Sequence, residues 1–140
     1  TPKATGELLI ADEAIRRYYR KSDPYCYDLS KLWKEKTGLP FVFALWVCRR
    51  DVFDQNPEAV RETYHALLES KSRSTYRYDQ MAEEFYDGVF PDSHSCCEYL
   101  KNIHYELSPE YLRGFKLFQQ RLYELEKLKT IAPLEFLPEI

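Results

Sequence analysis

Apolar residues recur at helical spacing through most of the chain, interrupted by two short segments that are apolar without a helical period. Residues 41–48 read Phe-Val-Phe-Ala-Leu-Trp-Val-Cys: uncharged, aromatic and branched. A continuous run of this length predicts a strand buried on both faces, as in a parallel sheet, because a surface hairpin would alternate. Residues 7–11 predict a second, shorter strand. The other segments predict helices. Asp12 caps one through about Arg20, with Ile15, Tyr18 and Tyr19 inward. Asp28 caps a second, with Leu29, Leu32 and Trp33 on one face. Gly38 stands where a helix ends in a left-handed residue, and Pro40 prevents continuation.

The second half predicts helices only. Asn56-Pro57-Glu58 combines a cap, a proline at the first position and an acid in the first turn. That helix carries Val60, Tyr64, Leu67 and Leu68 on one stripe and should end near Ser70. Another opens at Ser74 or Thr75, with Tyr78, Met81, Ala82 and Phe85 inward, and stops at Asp87-Gly88. A helix capped by Asp92 or Ser93 runs through Ile103, burying Cys96, Leu100 and Ile103. Ser108-Pro109-Glu110 begins the longest helix, predicted over 108–129. Its stripe of Tyr111, Phe115, Phe118, Leu122 and Leu125 suits a core face better than a coiled-coil seam. A loop holding Asp23-Pro24 and an extended tail with Pro133 and Pro138 complete the pattern.

Length and composition narrow the function. A chain of 140 residues is one ordinary domain, large enough to bury a core. Its net charge of −3 is spread over interspersed charges of both signs, which excludes a basic nucleic-acid surface. The small basic cluster Lys71-Ser-Arg73 reads as a solvated helix end. No run of roughly 18 apolar residues is present, so no membrane span is expected, and no secretory signal is visible. Cys26, Cys48, Cys96 and Cys97 form neither a Cys-x-x-Cys pair nor a zinc framework. Adjacent Cys96 and Cys97 are poorly placed to bridge each other. Buried, reduced thiols in a cytosolic protein are the expectation.

Asp12 is the strongest chemical candidate. It lies where an apolar strand gives way to a helix, and the carboxyl end of a strand is the usual ligand crevice of α/β sheets. Helix N-termini also offer free N–H groups to anions. Asp12 has an equally available structural reading as the helix cap alone, worth about 0.5–2 kcal/mol. On the predicted strand Phe41 and Phe43 share one face and Trp46 takes the other. They suit either an apolar wall for a ring-shaped ligand or plain core. His65, His94 and His104 are too scattered for a metal site. No dinucleotide, phosphate-loop or nucleophile-elbow motif occurs, and four glycines leave little for a phosphate cradle. The twelve tyrosines follow helical stripes rather than a basic groove.

Four segments occur in order: Leu8-Leu-Ile-Ala-Asp-Glu-Ala-Ile15, the helix-to-strand unit around Thr37-Gly-Leu-Pro-Phe-Val-Phe-Ala-Leu-Trp46, Cys97-Glu-Tyr-Leu-Lys-Asn-Ile-His-Tyr-Glu-Leu107, and Gly114-Phe-Lys-Leu-Phe118. Together they resemble the chorismate dehydratase family of the futalosine menaquinone pathway. The first carries Ala11 where the family usually has glycine. The sister enzyme family of the same pathway shares the fold but is less aromatic across 40–46.

The resemblance implies an α/β chain, the C-terminal portion of a type II periplasmic-binding-protein-like fold, with few strands and a helix-rich C-terminal part. Residues 1–50 would supply a strand–helix–helix–strand segment of the ligand-cleft lobe and hinge, and residues 51–140 a helical part. The N-terminal lobe, with its Ser/Thr-rich ligand loop, is not recognisable. The implied reaction is loss of water from chorismate to give 3-[(1-carboxyvinyl)oxy]benzoate, driven by aromatisation, with no cofactor required. Asp12 would be catalytic, and Phe41, Phe43 and Trp46 would bind substrate. The implied partners are the dicarboxylate chorismate and either the missing N-terminal half or a second copy, in the cytoplasm. Two rival readings are a non-catalytic binding module of the same fold and a helical interaction domain paired through the 108–129 helix.

Overall fold

The structure, a computed structural model, describes residues 6–21 and 24–137. Thr1 to Thr5 of the opening segment, Asp23 of the predicted loop and Pro138 of the tail lie outside the described residues. Seven helices follow one another among the described residues: α1 (Ala11–Arg20), α2 (Leu29–Thr37), α3 (Arg50–Gln55), α4 (Pro57–Thr75), α5 (Tyr78–Phe85), α6 (Ser93–Lys101) and α7 (Pro109–Glu124). They fall into two compact units. One comprises Thr1–Cys26 and Val47–His104; the other comprises Tyr27–Trp46 and Tyr105–Ile140.

The caps follow the sequence closely. Asp28 accepts hydrogen bonds from the backbone N–H groups of Ser30 and Lys31, and Gly38 ends α2 at φ 73° with its N–H on the Lys34 carbonyl. The Asp28 carboxyl is held below the usual range, chiefly by the Ser30 hydroxyl that bonds to it. Asn56, Asp92 and Ser108 cap α4, α6 and α7 through the N–H groups of Ala59, Ser95 and Tyr111. Both α4 and α7 open on a proline, whose missing N–H costs nothing in a first turn.

The first unit has its tightest packing between α5 and α6. Ala82, Cys96 and Cys97 are its fully buried residues, and Tyr78, Tyr86, Phe90 and Leu100 close around them. Rings extend this packing, with Tyr19 6.1 Å from Phe90 and Phe90 5.3 Å from Tyr99. In the second unit, α2 and α7 meet over an aromatic cluster. Trp33 lies 5.8 Å from Phe41 and 5.7 Å from Phe118, both edge to face, and Phe41 lies 4.9 Å from Phe118. The Trp33 Nε1 is shielded from solvent and has no hydrogen-bond partner among the described residues, and the ring faces around it are only weak acceptors. Buried Gly114 on α7 lets the Pro40 backbone approach so closely that a Cβ would stand 2.1 Å from its carbonyl oxygen.

Several expectations need correction. Among the described residues no strand forms: residues 7–10 and 41–48 carry no regular structure, and Ala11 already belongs to α1. Apolar, branched sequence supplies the propensity for a strand. A ladder also needs a neighbour to take its N–H and C=O groups, and the described residues offer none. Residues 41–48 are accordingly not buried on both faces: Phe43 is 80%, Trp46 84% and Val47 83% exposed. The α1 cap position falls on Ile10, whose side chain makes no capping bond, and Asp12 lies inside the first turn. Helix α3 was not expected. Helix α4 continues to Thr75 rather than Ser70, α6 ends at Lys101, and α7 ends at Glu124 rather than Lys129. Tyr18, Phe85 and Leu125, expected inward, are exposed.

The accessible surface is 12069 Å². A compact chain of 16.8 kDa would expose about 7,700 Å² as one body, and about 9,200 Å² even as two separate bodies of half the mass. This chain leaves several thousand Å² uncovered that a self-sufficient domain of its size would bury.

Candidate functional site

Asp12 sits in the first turn of α1, 64% of its side chain exposed. The chain enters the helix through an extended Ile10 at φ −135° and then a left-handed Ala11 at φ 52°. An L-residue with a Cβ pays roughly 1–2 kcal/mol for this conformation, and glycine pays little. Ala11→Gly is therefore expected to stabilise the first unit by about 1 kcal/mol, seen as a raised urea midpoint at unchanged slope. A lowered midpoint would show that Ala11 does not hold the left-handed backbone.

One turn on, Arg16 reaches back to Asp12. Its Nη2 lies 3.9 Å from Asp12 Oδ2, and its Nη1 lies 3.7 Å from Glu13 Oε2. Its Nε donates to the Gly88 carbonyl at 2.6 Å, across 72 residues of sequence. Gly88 turns the chain after α5 at φ 76°. Arg17 pairs with Glu13 at 3.4 Å and with Glu7 at 3.3 Å, so Glu13 is shared between two arginines. Sequence reasoning singled out Asp12 and missed Arg16. The i, i+4 acid-to-base spacing was the available signal; the Gly88 contact had none.

Phe41 and Phe43 are brought together, 5.1 Å apart and edge to face. Phe41 is half-buried in the α2–α7 cluster, Phe43 is exposed, and Trp46 is exposed at the end of the same extended segment. Asp12 belongs to the first unit and the three aromatics to the second. Among the described residues no group of three His, Cys, Asp or Glu side chains could hold a metal ion. No helix among them is long and apolar enough to cross a membrane.

The cysteines divide into two kinds. Cys26 and Cys48 are exposed, contrary to the expectation of burial, while Cys96 and Cys97 are buried; all four are free thiols. Burial pushes the Cys96 thiol up. The Cys97 Sγ donates to Asp79 Oδ1 at 2.9 Å, and that bond raises it, ahead of desolvation and against the nearby Lys101. Both buried thiols are thus held in the unreactive protonated form. A thiol-reactive disulfide reagent is expected to titrate two cysteines quickly and the other two only on unfolding. Fast reaction of all four would contradict the α5–α6 packing.

The profile of a protein family described as Menaquinone biosynthesis matches residues 2–124. The chain belongs to this family. Two curated relatives are similar to it. A chorismate dehydratase of Thermus thermophilus is 31% identical over 132 residues, which span 84% of this chain and 47% of that protein. A chorismate dehydratase of Campylobacter jejuni is 46% identical over 46 residues, 33% of this chain and 20% of that protein. This member of the menaquinone-biosynthesis family therefore spans about half the length, or less, of the curated relatives it matches. The match covers both candidate groups, Asp12 and the aromatic residues Phe41, Phe43 and Trp46.

Proposed function

We propose that this chain supplies one half of a chorismate dehydratase, acting in the cytoplasm in menaquinone biosynthesis. The observation that carries the reading is its extended similarity to a chorismate dehydratase, over 84% of the chain. In this reading residues 1–50 form part of the ligand-cleft lobe and hinge of a two-lobed, periplasmic-binding-protein-like fold, and residues 51–140 form its helical part. The reaction removes a proton from one ring carbon of chorismate and hydroxide from its neighbour. Asp12 is the proposed catalytic carboxylate, as the base or as the group that orients the leaving hydroxyl, and Phe41, Phe43 and Trp46 the apolar wall beside the ring.

The rest of the cleft comes from a segment equivalent to the part of the relatives that this chain does not match, within a longer or a two-part protein. The large uncovered surface and the unpaired apolar segment at residues 41–48 support such a partner. A second copy is the other occupant to test, and sedimentation across a dilution series with and without the complementary half tells the two apart.

The test of function is turnover. The chain alone is expected to show no formation of the aromatic product from chorismate. Adding the complementary half should restore rates on the order of 1 per second or more. Turnover by the chain alone at that rate would sink the half-enzyme reading. Ligand binding by the assembly without turnover would favour the non-catalytic binding module.

A further inference from the structure

We draw no further inference here: the strongest candidate, the exposed apolar patch of Phe43 and Trp46 on the segment that follows α2, belongs to the surface already proposed to meet the rest of the protein, and nothing in the structure shows what covers it.

Discussion

Gly114→Ala is expected to destabilise the second unit by about 1–3 kcal/mol or more, against the usual sign of such a change. In an exposed helix interior alanine is favoured over glycine by about 1 kcal/mol. Gly114 lies within α7, is buried, and faces the Pro40 carbonyl at a distance no Cβ can tolerate. The obstacle is backbone, which cannot rotate aside as a side-chain tip would. The Pro40 segment must move off α7, and Phe41 would then lose its seat against Phe118 and Trp33. Urea unfolding followed by tryptophan fluorescence measures the loss, since Trp33 sits in that cluster. A midpoint equal to or above that of the unsubstituted chain would show that Pro40 and α7 do not make this approach.

If the proposed assembly is the dehydratase, Asp12→Asn in it is expected to lower kcat by about 10²–10⁴-fold, the range for a general acid or base. Stability should change little. Asp12 is not the α1 cap, so no capping bond is lost, and its pairing with Arg16 is long and largely exposed. Comparing the thermal midpoint with turnover for the same sample separates the two roles. Wild-type turnover would make Asp12 a first-turn acid that favours the helix electrostatically and does nothing to substrate.

Local rules of helix geometry carried much of the fold into the sequence. Asp28, Asn56, Asp92, Ser108 and Gly38 each do in the structure what their residue type and position suggest, because a cap involves only the next few residues. The failures lie where the deciding partner is distant or absent. Residues 41–48 have the composition of a strand but no neighbouring strand among the described residues. Asp12 looked like a cap because it follows an apolar run, but the left-handed Ala11 starts the helix one residue earlier. The Arg16–Gly88 contact spans 72 residues and leaves no periodic trace. Gly114 was visible as part of a family segment, while the reason for a glycine there, the Pro40 carbonyl, is tertiary.

The uncovered surface also governs how sharply this chain responds to denaturant. Fully extended, 16.8 kDa of polypeptide exposes about 24,000 Å². With 12069 Å² still accessible when folded, unfolding newly hydrates about 12,000 Å². A compact chain of equal length would newly hydrate about 17,000 Å². Denaturant slope and heat-capacity change both scale with that difference. The chain alone should therefore unfold over a broader range of urea, with a slope about three-quarters of the value usual for its length. Its stability curve should be correspondingly flatter with temperature. Covering the surplus surface would steepen both, so the slope itself reports how much of that surface is covered.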